Sequence, residues 1–357
     1  MWAARCREKQ SQWPGQAGSV DVHQQWNTRQ NRNGLPIKVQ RSSPIHAITD
    51  GRAGNVRQAV ALARALQPGP VTRLALQPRA PWRWAAPRQL PGAERAYGSD
   101  FANLLEHAPA LAIGCGRQAA LALRQLRARG SAVVQILNPR INPRHWDLVI
   151  TPEHDNLRGA NVLSLQGSLN PVNDEWLAWG RAAFAHIGQL PGPRTAVLVG
   201  GPTDHARWDE AAMSACFAQI AGQVRAQGGS VLATTSRRTP PAVAQAMLAA
   251  FANLPRVIWS DGGDGTNPYA GLLGWADQIV VTPDSVNLLS EACATRAPVC
   301  VLLPGSAQGR MARFQHSLHE RGRLLTTLAA LGDGHHTIEP LRETGRIAAE
   351  VRTRLGR

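Results

Sequence analysis

Three polar residues at helical spacing, Asp284, Asn287 and Glu291, directly follow a short apolar run, Gln278–Thr282. The run is β-branched and reads as a buried strand, which Pro283 ends. Asp284 or Ser285 can then cap a helix, because a short side-chain oxygen accepts an otherwise orphaned N–H. Val286, Leu289 and Cys293 form a second, apolar stripe that can pack against the sheet. A helix starting after a parallel strand presents free N–H groups and the positive end of its dipole, a seat for phosphate. Glu291 lies roughly 10 Å further on at the usual helical rise. That spacing suits a diphosphate at Ser285 and a ribose at Glu291. On this reading Glu291→Ala should weaken binding by about 1–3 kcal/mol and leave folding nearly unaffected.

Other chemistry-bearing residues also follow strand-like runs. Gly200-Gly201-Pro202 follows Thr195–Val199, and Ser236-Arg237-Arg238 follows Ser230–Thr235. Arginine suits phosphate because its planar fork donates two bonds at once. Asp50-Gly51-Arg52-Ala53-Gly54-Asn55 follows Pro44–Thr49, and Pro152-Glu153-His154-Asp155 follows Leu148–Thr151. Open α/β sheets bind ligands at the carboxyl ends of their strands, which is where all these motifs fall. The first glycine turn is not G-x-G-x-x-G, so a nicotinamide cofactor is not indicated.

The elements that must hold these residues alternate along the chain. Strands are expected at 44–49, 110–113, 132–137, 148–151, 195–199, 230–235, 257–259, 278–282 and 299–303. Helical patterns fall between them, the last over 338–355. Repeated β-α units imply parallel sheets with helices on both faces. The stretch Ala80–Asp100, rich in Pro and Trp, reads as an irregular loop, with Trp82 and Trp84 packed on the core or facing a membrane surface. Pro191-Gly192-Pro193 reads as a hinge.

In order along the chain, Thr49-Asp50-Gly51-Arg52-Ala53-Gly54-Asn55 with Gln58, Pro152-Glu153-His154-Asp155, Gly200-Gly201-Pro202, Thr234-Thr235-Ser236-Arg237-Arg238-Thr239-Pro240, Asn267-Pro268-Tyr269 and Thr282-x-Asp284-Ser285 resemble one family. It is named after the plant "elongated mitochondria" fission factor, and its bacterial members are classed with glycosyltransferases. The 284–299 segment is also similar to the donor-nucleotide segment of GT-B glycosyltransferases. The resemblance implies two Rossmann-like domains facing each other across a cleft. The second would bind a nucleotide-diphosphate sugar, with Gly200, Gly201 and Ser285 offering N–H groups, Ser236, Arg237 and Arg238 meeting phosphate, and Asp284 and Glu291 completing the site. The first would hold the acceptor, with Asp50, Glu153 or His154 as the base that takes a hydroxyl proton. No metal or other cofactor is implied. The rival implication is a non-enzymatic adaptor that recruits a dynamin-like fission partner, or a nucleotide-sugar-binding protein without turnover.

The chain of 357 residues, 43% hydrophobic, can bury two cores, and no apolar run approaches the eighteen or so residues of a membrane span. The net charge of +15 is almost all arginine, since Lys9 and Lys38 are the only lysines. Such a surface attracts anions, but no nucleic-acid-binding module is recognisable, so nucleic acid is not an expected partner. Five scattered cysteines without a C-x-x-C argue against a zinc ribbon or disulfide framework and for a reducing compartment. Residues 1–43 carry seven Lys/Arg against Glu8 and Asp21, a net +5, and lack apolar periodicity, so they read as a disordered extension. The expected plan is this extension, an acceptor-side domain over 44–190, a nucleotide-sugar domain over 191–335, and a C-terminal helix over 336–357 that crosses back. The expected location is cytoplasmic, with peripheral contact at the inner face of a membrane. His335-His336 is not read as a metal site.

Overall fold

The computed structural model describes residues 44–332 and 338–356; the N-terminal extension, Cys6 and His335-His336 lie outside the described residues. Two parallel sheets organise the rest. The first holds β1 (His46–Thr49), β2 (Thr72–Ala75), β3 (Leu111–Cys115), β4 (Ala132–Ile136), β5 (Leu148–Pro152) and β6 (Val162–Leu165), in the order β2-β1-β3-β4-β5-β6. The second holds β7 (Arg194–Val199), β8 (Ser230–Thr235), β9 (Arg256–Trp259), β10 (Gln278–Val281) and β11 (Val299–Val301), in the order β11-β10-β7-β8-β9. Every pairing between neighbours is parallel. The two-sheet α/β class expected from the alternation is therefore the observed one. Buried strands such as β3 and β10 read as continuous apolar runs because helices cover both faces.

Helices α1 (Ala53–Leu66), α2 (Trp82–Ala85), α3 (Ser99–Glu106) and α4 (Arg117–Ala128) belong to the first sheet's half. Helices α5 (Asp174–Ala183), α6 (Glu210–Ala226), α7 (Pro241–Ala250), α8 (Tyr269–Trp275), α9 (Val286–Cys293) and α10 (Gly309–Glu320) surround the second. Helix α11 (Glu343–Leu355) returns to the first half, where Ile347, Ala348 and Val351 share a core with Ile45, Ala59 and Val60.

The chain passes between the halves at 166–172, upstream of the 191–193 boundary read from the sequence. Leu177 of α5 already lies in the second half's core, with Ile187, Leu272 and Leu273. The crossing is tied down on several sides. Ser168 N–H donates to Ser290 Oγ at 3.0 Å, Gln166 N–H to Glu343 Oε2 at 3.0 Å, and Asn170 N–H to Thr344 Oγ1 at 3.0 Å. Gly167 has φ +77°, and a Cβ there would collide with Ser290 Oγ, so this crossing needs glycine.

In each sheet the strand order reverses once. The reversal lies between β1 and β3 in the first sheet and between β7 and β10 in the second. Such switch points leave a crevice at the carboxyl edge, between loops that lead away in opposite directions.

Candidate functional site

At the second switch point, Asp284 ties three loops together. Its Oδ2 accepts from Gly201 N–H at 2.9 Å and from Arg238 Nη2 at 3.1 Å, and its Oδ1 accepts from Trp208 Nε1 at 3.4 Å. The Asp284 side chain is fully buried, and Arg238 remains half exposed. Burial pushes the Asp284 carboxyl up from its ordinary value, against the pull of Thr282, Gly201, Arg238 and Trp208. The helix cap falls to Ser285, whose Oγ accepts from Leu288 N–H at 3.3 Å. Among the described residues, the N–H groups of Val286 and Asn287 meet no protein acceptor. These are the donors α9 can offer an anion.

The glycines expected to face phosphate are used differently. Gly200 N–H donates to Thr282 Oγ1 at 2.8 Å, and Gly201 N–H donates to Asp284. A Cβ at Gly201 would meet the Arg238 carbonyl, and one at Gly200 the Asp284 carboxylate. Both glycines therefore let neighbouring loops close on β7. Thr239 Oγ1 completes the closure by donating to Gly200 O at 2.6 Å, and Ser236 N–H donates back to Thr239 Oγ1 at 2.9 Å. Arg237 is exposed on the same loop.

Glu291 lies at the meeting of the two halves. Its side chain is 1% exposed, and Arg57 Nη1 donates to its two oxygens at 2.5 and 2.6 Å. Tyr269 O–H donates to Oε2 at 2.5 Å, and the Arg57 guanidinium lies 5.0 Å from the Tyr269 ring centroid. Burial opposes the charge on Arg57, yet Glu291 and Tyr269 keep its pKa above the ordinary value. Burial, then the Glu291 charge, raises the Tyr269 phenol well above its ordinary range, so it stays a neutral donor. The expectation that Glu291→Ala spares folding is corrected here, because the residue is half of a buried ion pair. A ribose hydroxyl could reach this carboxylate only by displacing Arg57 or Tyr269.

The sequence does not single out Arg57, and it marks Tyr269 only within the Asn267-Pro268-Tyr269 motif, without a role. Arg57 is 234 positions from Glu291, beyond any periodicity signal. It does share a helix face with Gly54, three residues before it. A Cβ on Gly54 would collide with Asn287 Nδ2, so the first turns of α1 and α9 abut.

Asp50 stands at the first switch point. Its Oδ1 accepts from Asn55 Nδ2 at 2.9 Å and from Arg52 N–H at 3.1 Å. Cys115 Sγ donates to Asn55 Oδ1 at 3.5 Å, and burial, then the Asp50 charge, holds the thiol protonated. Glu153 and His154 are drawn instead to α10. Arg321 reaches Glu153 at 3.8 Å, His154 lies 5.7 Å from the Phe314 ring, and Arg313 Nη2 donates to His154 O at 3.4 Å. Helix α10 itself holds the second switch point, since Gln315 Nε2 donates to Pro283 O at 2.8 Å. Burial lowers the His154 pKa, with Arg310 and Arg313 adding to the effect and Asp155 opposing it. Residues 153–154 thus pack on α10 of the second half, whereas the first turn of α1, just after Asp50, abuts α9.

Among the described residues, no cluster of three or more His, Cys, Asp or Glu could hold a metal ion, and no helix is long and apolar enough to cross a membrane. The four described cysteines are buried and unpaired with one another.

Residues 53–355 match the sequence profile of mitochondrial fission ELM1. The chain belongs to the mitochondrial fission ELM1 family. Mitochondrial fission protein ELM1 of Arabidopsis thaliana is 32% identical over 277 residues, which are 69% of this chain and 64% of the plant protein. This ELM1-family chain thus matches less than two thirds of that relative's length. Among solved structures it is similar to UDP-GlcNAc 2-epimerase from Methanocaldococcus jannaschii, with a TM-score of 0.51 and 11% identity over 87% of this chain and 99% of that one. It is also similar to CalG4, the calicheamicin glycosyltransferase, with a TM-score of 0.50 and 13% identity over 88% of this chain and 98% of that one. At such identities the likeness speaks for the fold, which is GT-B-like.

Proposed function

We propose that this ELM1-family chain is a glycosyltransferase that binds a nucleotide-diphosphate sugar in its second half and an acceptor in its first. The observation that supports this most is the approach of the two carboxyl edges, where Gly54 in the first turn of α1, just after Asp50, abuts Asn287 in the first turn of α9. Transfer requires both ligands at one gap, and this contact brings the helices that start at the two switch points together.

In the proposed reaction an acceptor hydroxyl oxygen attacks the anomeric carbon, and the bond from that carbon to the diphosphate oxygen breaks. The diphosphate leaves with the electron pair. The open N–H groups of α9 and the guanidinium groups of Arg237 and Arg238 take up its charge, so no metal is called for. Asp50 accepts the hydroxyl proton; its carboxylate is already aimed by Asn55 and the Arg52 N–H. His154, held neutral by burial, is the alternative base. Glu291 would meet ribose only after giving up Arg57, so donor binding would be coupled to a shift between α1 and α9.

A second reading, a GT-B scaffold that binds without turnover or serves as an adaptor, is favoured by the internally satisfied Gly200, Gly201 and Glu291. A thermal-shift panel of nucleoside diphosphates and nucleotide sugars separates the two. A ligand at 100 times its Kd adds about 2.7 kcal/mol of stability and raises the melting temperature by several degrees. A panel with no shift at millimolar ligand would contradict donor binding and leave the adaptor reading.

A further inference from the structure

The segment between β2 and α3, expected as an irregular loop, is a built platform. Arg79 N–H donates to Ala96 O at 2.8 Å, and Trp82 Nε1 donates to Pro91 O at 3.1 Å. Ala86 and Ala93 pack with Leu121 of α4 in a small core of their own. Helix α4 also clasps the platform from below, with Arg124 Nη1 donating to Pro87 O at 2.8 Å and Gln125 Nε2 to Ala93 O at 3.0 Å. The platform packs Trp82 against this core but leaves its other tryptophan in water. Trp84 is 67% exposed, more than Trp179 at 41% or Leu248 at 44%, and Leu90 on the same segment is 36% exposed. Between Arg79 and Arg95 stand four arginines, Arg79, Arg83, Arg88 and Arg95, against Glu94, a net +3, and all five residues are exposed.

A rigid turn that keeps a tryptophan in solvent has gained nothing in folding from that side chain. Tryptophan prefers the boundary between headgroups and acyl chains, because its ring is apolar and its N–H is polar. Arginines around it suit lipid phosphate, which they bind by paired donation. An acidic protein surface would match the charge as well, but a lone protruding indole flanked by prolines and arginines meets no preformed pocket requirement at a bilayer. We propose that the Arg79–Arg95 platform docks this protein on an anionic bilayer, with Trp84 entering the interface and the arginines pairing with lipid phosphate. Arg117, at the start of α4, donates to Arg83 O at 3.4 Å. That contact sets the platform beside the carboxyl edge of the first sheet, so docking would bring that edge towards the membrane. The proposal stands independently of nucleotide binding.

The test is co-sedimentation of the full chain with vesicles of neutral phosphatidylcholine or of phosphatidylcholine containing phosphatidylglycerol, at physiological salt. The parent should bind the anionic vesicles and leave the neutral ones. Trp84→Ala should weaken that binding about tenfold or more, the worth of burying one large apolar side chain. Arg83→Gln and Arg88→Gln should each weaken it about fivefold. Trp179→Ala, which removes an exposed indole elsewhere, should change nothing. Unaltered melting temperatures would show that the variants fold. Equal binding by Trp84→Ala and the parent would reduce the effect to diffuse charge and overturn the proposal. Failure of the parent to bind anionic vesicles would also overturn it and leave the surface to an acidic protein partner.

Discussion

The two switch points are built to opposite plans. At the second, the glycines and the aspartate expected as ligands are locked to their neighbours: Gly201 to Asp284, Asp284 to Arg238 and Trp208, and Gly200 to Thr282. At the first, Asp50 is aimed by short-range partners alone, Asn55 Nδ2, the Arg52 N–H and the exposed Arg52 Nε at 3.4 Å, and Gly51, Arg52 and Ala53 are exposed around it. The difference separates rigidity from access. A donor diphosphate is a constant group and rewards a fixed frame, while an acceptor needs an open approach to one oriented base. In the second half, then, polar residues near the proposed ligand act first on stability. In the first they should act on rate.

The largest expected effect falls on rate. Asp50→Asn keeps an acceptor for Asn55 and Arg52 but loses the base, so transfer should fall by about 100-fold to 10,000-fold. Its melting temperature should stay within a degree or two. A steady-state assay beside a thermal melt checks both, and a stability loss with retained turnover would erase the contrast between the sites.

Buried groups come next. Asp284→Ala leaves Gly201 N–H, Trp208 Nε1 and Arg238 without their acceptor and should cost about 3 kcal/mol in urea unfolding. Glu291→Ala should cost about as much, at the low end for a broken buried pair because Arg57 keeps some contact with water. Replacing both partners, Arg57→Met with Glu291→Leu, should recover most of that loss, since two apolar side chains leave no buried charge. A double variant no more stable than Glu291→Ala alone would mean that the pair is not a unit.

The smallest effect concerns acid. His154 has a folded pKa below its ordinary 6.5, chiefly through burial. As pH falls through 6.5, the unfolded chain takes up this proton before the folded one does, so stability is full above 6.5 and declines below it until folded His154 also protonates. His154→Gln should flatten that part of the stability profile. Because His46 is lowered by burial too, some slope will remain. An unchanged profile would show that His154 is not held neutral.

Much of the fold could be read from single-strand patterns. The continuous apolar runs of β3, β4, β7, β8 and β10 were legible because both faces of each strand are covered. The edge strands β2 and β6 were not. Thr72–Ala75 is exposed at three of its four positions, so no buried run marks it. Helix α10 was also missed. Its inward stripe of Met311, Phe314, Gln315 and Leu318 includes a polar residue whose partner, the Pro283 carbonyl, appears only in the fold. For the site, proximity to strand ends located Asp50, Arg238, Asp284 and Ser285 correctly at carboxyl edges. It could not reveal that Asp284 turns back onto β7, nor that Glu291 is claimed by an arginine from the other half. Those facts depend on contacts between distant segments, which local spacing does not encode.

The central claim, that a nucleoside diphosphate binds at the start of α9, is tested most directly by calorimetric titration. The diphosphate that stabilises the parent most in the thermal-shift panel would be titrated into the parent and into Arg237→Gln/Arg238→Gln. The account predicts measurable affinity in the parent and at least about tenfold weaker binding in the variant, because two charge-assisted contacts to phosphate are lost. Equal affinity in the two proteins, or no heat from any diphosphate in the parent, would contradict it.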